Sequence, residues 1–411
     1  MYVRILQWCA PAVCLVSAAV AGAQNPAAPA DAAWKFKTQL FLIGSLRGPE
    51  ATDEKYAAYK ANGLNVVVTP QFAYAQSFED VDRALDLAQK HGLAAVLDTL
   101  TSQKSGKTWG GKPGEWYRPV DAHPPTLAQF QWIQERYGKH PALAGYLLAD
   151  DFVIMPPRVV ESTRWLRENA PQLWPCVSQM TFAPEYLMSA EIPIAMPQLY
   201  GALRSAHRDP VKRMEFFCDQ VQEVCRERPS GLVPWPVLNL STWDGPLNSD
   251  SVLRFQTYTA VAYGAQGIWY PASDGPLEGF QREINQSLLA WGPTLLGRAT
   301  REVYQSGWGD WQDKGYEAAG QGKLIAGMTE HLLVGILRKE GEAPLAMVVD
   351  KRIGDHFRTV PPRDAEITFS GNVNAIDVFE GAAAKNVPGP TVKLRLKGGG
   401  GQLLRLIGKD L

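Results

Sequence analysis

Two adjacent carboxylates, Asp150 and Asp151, closely follow a short apolar run over residues 143–148. Carboxylic acids can donate or accept a proton in catalysis, and two acids in different surroundings can divide these roles. A buried strand that ends in acids predicts a site, because catalytic side chains of parallel barrels stand at the C-terminal ends of strands. The alternative interpretation is that the two aspartates cap the helix that follows.

Other polar and aromatic residues stand just past the ends of other predicted strands. They are Arg47, Asp98, Gln198, Tyr200, Trp243, Asp244, Trp269 and Asp274. Aromatic side chains stack on the apolar faces of sugar rings, while carboxylates and amides bind hydroxyl groups. The mixture therefore favours a carbohydrate over a phosphorylated ligand, although each tryptophan taken singly also fits a role in core packing.

Hydrolysis of a glycosidic bond would need a second carboxyl group beside the first. The separation is about 5 Å for retention of configuration and about 6.5–9.5 Å for inversion. We expect Asp151 to be the general acid and either Asp244 or Asp274 to be the nucleophile or base. Asp150 would orient the acid or bind a hydroxyl group. Both Asp244-Gly and Asp274-Gly are also ordinary turn sequences.

The elements that must position these residues follow a repeating pattern over residues 37–298. Short apolar runs alternate with amphipathic stretches, as expected of βα units around a parallel sheet. Eight strands are predicted, at residues 40–44, 65–69, 94–98, 143–148, 175–180, 194–199, 233–240 and 267–271. Helices are predicted over 53–62 and 78–91, each stopped by a glycine, and a last one around 279–296.

This count predicts an α/β fold, a (β/α)8 TIM barrel. A doubly wound open sheet is the competing architecture. Residues 44–48, after the first strand, lack the G-x-G-x-x-G spacing of its nucleotide-binding turn.

Residues 299–411 follow a different sequence pattern, with alternating apolar residues and turn residues. Strands are predicted at 332–338, 345–349, 391–396 and 403–407, with a glycine turn at 398–401. This pattern predicts a small antiparallel β-sandwich that packs on the barrel. Accessory sugar binding is the alternative role for it.

The first 23 residues predict a cleavable secretory signal peptide, with Arg4 before an apolar stretch and Ala21-Gly22-Ala23 at the cleavage site. Residues 24–36, rich in Ala and Pro, predict a flexible leader. We therefore expect a secreted or periplasmic protein. No later run of about 20 apolar residues predicts a membrane span.

Composition excludes several kinds of partner. Lys plus Arg (41) nearly balance Asp plus Glu (42), giving a formal net charge of −1, which argues against binding to nucleic acid. No Cys or His spacing fits a zinc site, so neither a metal nor an organic cofactor is predicted. Cys218 and Cys225 lie seven residues apart on a predicted helix, too far for a disulfide, and we expect buried thiols. The sequence does not indicate an oligomeric state.

Residues 140–151, His-Pro-Ala-Leu-Ala-Gly-Tyr-Leu-Leu-Ala-Asp-Asp, resemble the fourth-strand signature of secreted (β/α)8 glycoside hydrolases related to clan A and to the β-galactosidase-like group. The family segment ends in Asp-Glu-Pro or Asn-Glu, and its Glu is the general acid/base, so the resemblance implies that role for Asp151. Tyr200 and Trp269 match aromatic positions that line the sugar subsite. Residues 348–351 and 401–405 are similar to the β-domain that often follows these barrels.

The sequence departs from the family in two places. Asp151 stands where the family has Glu, which withdraws the carboxyl group by roughly 1 Å, and such a shift can cost on the order of a hundredfold in rate. Retaining members also carry a nucleophilic Glu at the end of the seventh strand, whereas residues 237–243 hold no carboxylate before Asp244.

The sequence therefore predicts an exported glycoside hydrolase that acts on an oligo- or polysaccharide. One alternative is a non-catalytic barrel, a pseudo-glycosidase, that binds polysaccharide. Another is a barrel hydrolase or lyase of a different kind that uses the same carboxylates.

Overall fold

The computed structural model describes residues 41–69, 78–99, 101–102, 122–152, 155–179, 182–199, 210–229, 231–238, 249–272, 278–307, 316–354, 360–409 and 411. The signal peptide and leader predicted from the sequence lie outside these ranges. No helix in these ranges is long and apolar enough to span a membrane.

The N-terminal part alternates strands and helices. Its elements are β1 (Leu42–Arg47), α1 (Asp53–Ala61), β2 (Val66–Val68), α2 (Phe78–Lys90), β3 (Ala94–Asp98), β4 (Thr101–Ser102), β5 (Ala122–His123), α3 (Leu127–Tyr137), β6 (Leu143–Phe152), α4 (Pro157–Asn169), β7 (Trp174–Gln179), α5 (Pro184–Ser189), β8 (Ile194–Pro197), α6 (Pro210–Val221), a π-helical turn (Gln222–Arg226), β9 (Val233–Pro234), α7 (Asp250–Ala262), β10 (Gly267–Ala272) and α8 (Glu278–Leu295). Eight of these strands form one parallel sheet in the order β10-β1-β2-β3-β6-β7-β8-β9.

The sheet closes on itself between β9 and β10. Val237 bridges Trp269 in parallel register, and the Leu238 backbone N–H donates to the Trp269 carbonyl oxygen at 2.7 Å. The backbone N–H of Gln266 donates to the carbonyl of Pro234 at 2.9 Å. The predicted TIM barrel is therefore confirmed, and the open doubly wound sheet is excluded.

Local sequence accounts for the ends of the helices. Thr52 caps α1 by accepting a hydrogen bond from the Lys55 backbone N–H, and Thr126 forms a capping box with Gln129 at the start of α3. The glycines predicted to stop α1 and α2 adopt the left-handed conformation, with φ of 78° at Gly63 and 62° at Gly92.

The interior of the barrel pairs tryptophans with glycines. A Cβ added to Gly44 would lie 2.9 Å from the Trp269 ring, and one added to Gly267 would lie 3.0 Å from the Trp235 ring. A Cβ added to Gly145 would lie 2.6 Å from the Cβ of Trp174. Trp235 stacks on Trp269 with 6.1 Å between centroids and meets Trp174 edge-on at 5.4 Å. The glycines thus leave the room that three indoles need in one closed core.

The C-terminal part consists of antiparallel strands. They are β11 (Ala299–Gln305), β12 (Ile325–Met328), β13 (Leu332–Arg338), β14 (Leu345–Asp350), β15 (Arg363–Phe369), β16 (Val373–Glu380), β17 (Ala383–Pro388), β18 (Thr391–Leu396) and β19 (Gly401–Gly408). A six-stranded sheet, β11-β13-β14-β19-β16-β17, faces a three-stranded sheet, β12-β15-β18. The predicted β-sandwich is confirmed.

The strands β13 and β14 of the six-stranded sheet are buried on both faces. Along β14, Leu345, Met347 and Val349 join the core shared with the barrel helices, while Ala346 and Val348 join the core of the sandwich. This period of two is the one expected of a strand between two apolar layers.

The outer face of the three-stranded sheet is charged. Arg395 pairs with Asp364 across β18 and β15, and Lys393 pairs with Glu366. Among the described residues of these two strands this face carries no aromatic side chain.

Three cysteines, Cys176, Cys218 and Cys225, are free and buried. Burial raises the pKa of the Cys225 thiol to about 12. These side chains therefore act as small apolar groups, as predicted for Cys218 and Cys225.

Candidate active site

Strand β6 runs through both aspartates and does not stop at residue 148 as predicted. Its register with β7 shifts there, with Ala149 opposite Val177 and Phe152 opposite Gln179. An advance of three residues along β6 thus corresponds to an advance of two residues along β7. The extra residue forms a β-bulge at Asp150 and Asp151. Bulges re-aim side chains and are common beside active sites.

The helix-capping alternative for Asp150 and Asp151 is wrong. Helix α4 begins at Pro157, and its N-cap residue, Pro156, makes no side-chain capping bond. Both aspartates belong to the strand, at least five residues earlier in the chain.

A hydrogen-bonded group joins three neighbouring strands at this end of the barrel. The side-chain amide nitrogen of Gln198 donates to Oγ of Ser178 at 2.8 Å and to Oδ1 of Asp150 at 3.4 Å. Ser178 is buried, whereas Asp150 and Gln198 are half-buried. The contact with Ser178 fixes the Gln198 amide, and the contact with Asp150 directs an N–H donor at the carboxylate. Asp150 is therefore held in one orientation while part of it stays open.

Asp98 is the last residue of β3, the strand next to β6. It is 2% exposed, and its backbone N–H donates to Oγ1 of Thr69 at 3.0 Å. The hydroxyl of Thr99 donates to the carbonyl of Leu147 at 2.8 Å and ties the segment after β3 to β6. The structure thus places two of the predicted acids, Asp98 and Asp150, at the ends of adjacent strands.

The structure locates other predicted residues by their backbone alone. Arg47 is the last residue of β1, and Asp151 lies in the bulge of β6. The side chains of both lie outside the described part of the chain. So do the predicted residues Tyr200, Trp243, Asp244 and Asp274 in full.

Trp269 needs a correction. It was predicted to stack on a sugar at the end of the eighth strand, but it is fully buried in the barrel interior against Trp235 and Gly44. Trp269 precedes Pro271 by two residues on the same face of β10, so it belongs to a layer of the packed core. In this position Trp269 is a packing residue with no open face for a sugar.

Sequence reasoning missed Ser178 and Thr69. Ser178 follows Cys176 by two positions on β7, so it shares the inward face that Cys176 occupies in the barrel core. A small polar residue on the inward face of a buried strand is the signal that could have identified it.

A metal site finds no support in the described ranges, since no group of three or more His, Cys, Asp or Glu residues there could hold an ion. The described residues at this end of the barrel supply carboxylates, an amide and hydroxyl groups.

Comparisons with known proteins agree on the architecture. The sequence matches no protein-family model and no curated protein. Among solved structures, the chain superimposes on a β-galactosidase from Bacillus circulans sp. alkalophilus with a TM-score of 0.57 and 9% sequence identity, covering 92% of this chain and 100% of that one. An α-amylase from Geobacillus thermoleovorans, solved with acarbose, gives 0.55 and 11%, with coverage of 92% and 100%. A protein described as a glycoside hydrolase gives 0.54 and 12%, with coverage of 90% and 93%.

The chain has the fold of these glycoside hydrolases. The resemblance seen in residues 140–151 is thereby confirmed at the level of the fold, over the barrel and the β-domain together. At 9–12% identity the comparison establishes architecture, and the chemistry rests on the residues of this chain.

Proposed function

We propose that the protein is an exported glycoside hydrolase that acts on an oligo- or polysaccharide by acid/base catalysis between carboxyl groups. The observation that carries the proposal is the bulge at Asp150 and Asp151, with Gln198 directed at Asp150. Barrel enzymes place their catalytic groups at this end of the strands. The fold shared with glycoside hydrolases supports the same reaction class.

In this mechanism Asp151 protonates the glycosidic oxygen as the bond to the leaving sugar breaks. Asp244 or Asp274 attacks the anomeric carbon directly, or removes a proton from the water that attacks it. After direct attack, water deprotonated by Asp151 displaces the carboxylate from the sugar, which releases the product and restores both acids. Asp150 orients the acid or binds a hydroxyl group.

Binding of the sugar falls to the rest of the mouth. Arg47, Asp98 and Gln198 would bind hydroxyl groups, and Tyr200 and Trp243 would stack on sugar rings. No metal or organic cofactor enters the mechanism. Export rests on the signal peptide predicted over residues 1–23.

The test is hydrolysis of a panel of aryl glycosides by the wild type and by Asp151→Asn. The matched control is Asp364→Asn, which makes the same replacement at a side chain that is 81% exposed on the β-domain. We expect Asp151→Asn to lower kcat by at least about a hundredfold, because general acid catalysis contributes about 10²–10⁴-fold. Asp364→Asn should leave kcat unchanged. Equal turnover in all three proteins would refute the role of Asp151.

Single replacements of Asp244 and Asp274 by Ala then identify the second carboxyl group. The correct partner should lose as much activity as Asp151→Asn, and the other residue should lose little. Analysis of the anomer formed first distinguishes retention from inversion.

The polysaccharide-binding alternative has one observation in its favour, the missing carboxylate over residues 237–243. It predicts measurable binding of oligosaccharides, weakened by Trp243→Ala, without turnover of any substrate. That outcome would replace the hydrolase proposal.

A further inference from the structure

The mouth of the barrel has a polar half and an apolar half. Four neighbouring strands, β3, β6, β7 and β8, carry polar side chains at this end, namely Asp98, Asp150, Ser178 and Gln198. Asp98, Ser178 and Gln198 each follow a residue of the barrel core by two positions, so they face inward. Asp150 faces inward as well, because it meets the amide of Gln198.

The other four strands, β9, β10, β1 and β2, adjoin one another in the closed barrel. The last core residues on their inward faces are apolar: Val237, Trp269, Leu46 and Val68. Strand β10 lies directly across the barrel from β6, four places away in the ring of eight strands. Within the described ranges, the strands across from Asp150 therefore present no acid to the mouth.

This division bears on the group that attacks the sugar. Two catalytic carboxylates must flank the scissile bond, whereas Asp150 and Asp151 are consecutive, with Cα atoms about 3.8 Å apart, and belong to one side of the mouth. Asp98 pairs with Leu147, three residues before Asp150, and is 2% exposed, so it lies below Asp150 and not across from it. The attacking group must come from a loop beyond these strands or from the substrate itself.

Asp150 is a fixed hydrogen-bond acceptor. The side-chain nitrogen of Gln198 is held by Oγ of Ser178 at 2.8 Å and lies 3.4 Å from Oδ1 of Asp150. A carboxylate has about four lone-pair sites, so the bond from Gln198 leaves Asp150 able to accept a donor from a ligand. The Asp150 side chain is half-buried, which keeps part of it open to the mouth.

We infer that Asp150 accepts a hydrogen bond from the N–H of a 2-acetamido group on the sugar, and that the oxygen of this group is the nucleophile. The substrate class is then a 2-acetamido-2-deoxy glycoside. The inference rests on the proposed function for the reaction and for Asp151 as the acid. It differs in giving the attack to the substrate instead of Asp244 or Asp274. Substrate-assisted glycosidases are a recognised exception to the use of two protein carboxylates in acid and nucleophile roles.

The reaction then has two steps. The amide oxygen bonds to the anomeric carbon while the bond to the leaving oxygen breaks, and Asp151 gives its proton to that oxygen. The positive charge that develops on the amide N–H is stabilised by the fixed carboxylate of Asp150. Water next attacks the anomeric carbon, gives a proton to Asp151 and reopens the ring to the amide. The configuration is retained, and both aspartates return to their starting states.

Intramolecular attack restricts the linkage. The amide oxygen reaches the anomeric carbon only from the face opposite the leaving group, so the substituents on C1 and C2 must be trans. In the gluco and galacto series this is the β anomer. A nucleophile joined to the reacting carbon in this way reaches effective molarities of about 10⁵–10⁸ M, which no separately bound group needs to match.

The test uses 4-nitrophenyl glycosides that differ only at C2. We expect the wild type to hydrolyse a 2-acetamido-2-deoxy-β-glycoside of the gluco or galacto series with kcat/KM at least about a hundredfold above that of the 2-hydroxy β-glycoside. The α anomer should not react. Fluorine atoms on the acetamido methyl group withdraw electrons from the amide oxygen, so kcat should fall with each fluorine added. This series needs only the wild-type protein.

A variant tests Asp150 directly. Asp150→Asn should lower kcat for the 2-acetamido substrate by about a hundredfold, the loss typical of one group that stabilises a developing charge. Asp364→Asn, on the exposed face of the β-domain, makes the same replacement and should leave kcat unchanged.

The outcomes separate the two proposals. A wild type that hydrolyses no glycoside of either series overturns the proposed function and this inference with it. Equal turnover of the 2-acetamido and 2-hydroxy substrates, or a kcat that does not respond to fluorine, overturns the inference and leaves the proposed function in place. A loss in Asp244→Ala or Asp274→Ala as large as in Asp151→Asn would identify a nucleophile in the protein and would also overturn the inference alone.

Discussion

The side-chain amide nitrogen of Gln198 lies 3.4 Å from Oδ1 of Asp150 and so connects β8 to β6 across the strand between them. The same nitrogen lies 2.8 Å from Oγ of Ser178, on the intervening strand β7. Three strands thus meet in one polar group at the mouth. The orientation of Asp150 is set by this group, because a donor held at one end constrains the acceptor at the other.

Replacing Gln198 by Leu removes the N–H donor that is directed at the Asp150 carboxylate. We expect kcat/KM for the best aryl glycoside to fall about tenfold, the effect of losing a hydrogen bond to a charged group. Gln402→Leu is the control, since Gln402 is a half-buried glutamine of the β-domain that donates to the Phe379 carbonyl at 2.6 Å. Equal kcat/KM in the two variants would show that Gln198 has no part in the site.

Trp269→Ala should act on stability. The side chain is fully buried, so its removal opens a cavity and should lower the free energy of unfolding by about 3–5 kcal/mol. Trp269→Phe should lose less, because the smaller ring still fills part of the space. Urea unfolding measures both values. A stably folded Trp269→Phe that has lost sugar binding would instead restore Trp269 to the binding site.

Gly335→Ala should also destabilise the protein, because its Cβ would meet the backbone oxygen of Ala262, which cannot move aside. We expect a loss of about 2 kcal/mol or more in the free energy of unfolding. Gly327→Ala makes the same change in strand β12, where an added Cβ meets nothing within 4 Å. Thermal melting of the two variants checks the difference, and similar melting temperatures would argue against close packing of α7 on the sheet.

Lys351 makes stability depend on pH. Its Nζ is buried and donates to Gln305 at 3.1 Å and to the Gly307 carbonyl at 2.7 Å. Burial lowers the pKa of Lys351 from 10.5 to about 8. The unfolded chain therefore binds more protons than the folded protein between these two pH values, and stability should rise with pH in that window.

Replacing Lys351 by Met removes this dependence. From pH 8 to 9.5 the free energy of unfolding of the wild type should gain about 1–2 kcal/mol relative to Lys351→Met. Lys393→Met, at a side chain that is 80% exposed, should behave as the wild type. Urea titrations at several pH values measure these differences. Parallel curves for wild type and Lys351→Met would show that Lys351 keeps its ordinary pKa.

Much of the fold could be predicted, because periodicity and glycine positions act locally. All eight barrel strands were found, and β3, β13 and β18 were predicted with both ends correct. The errors have local causes as well. Strand β9 pairs only over Val233–Pro234 and at Val237, because Pro234 and Pro236 have no N–H to donate. Strand β6 was cut short because its last residues are acids, which seldom continue a buried strand.

The candidate site was less predictable. Asp98, Asp150 and Gln198 could be placed at strand ends from the sequence, but their contacts depend on register between strands that are far apart in the chain. The bulge in β6 and the bond from Gln198 to Ser178 are of this kind. The position of Trp269 along the barrel axis also depends on register, because two residues along β10 are enough to move a side chain from the mouth into the core.

The burial of α7 sets the order in which the protein can be completed during synthesis. The helix, Asp250–Ala262, leaves the ribosome well before the strands that cover it, the last of which is β19 at Gly401–Gly408. Until β19 has joined the sheet, one side of α7 remains an exposed apolar surface on an otherwise finished barrel. A chain that still lacks β19 therefore carries an aggregation-prone face on α7.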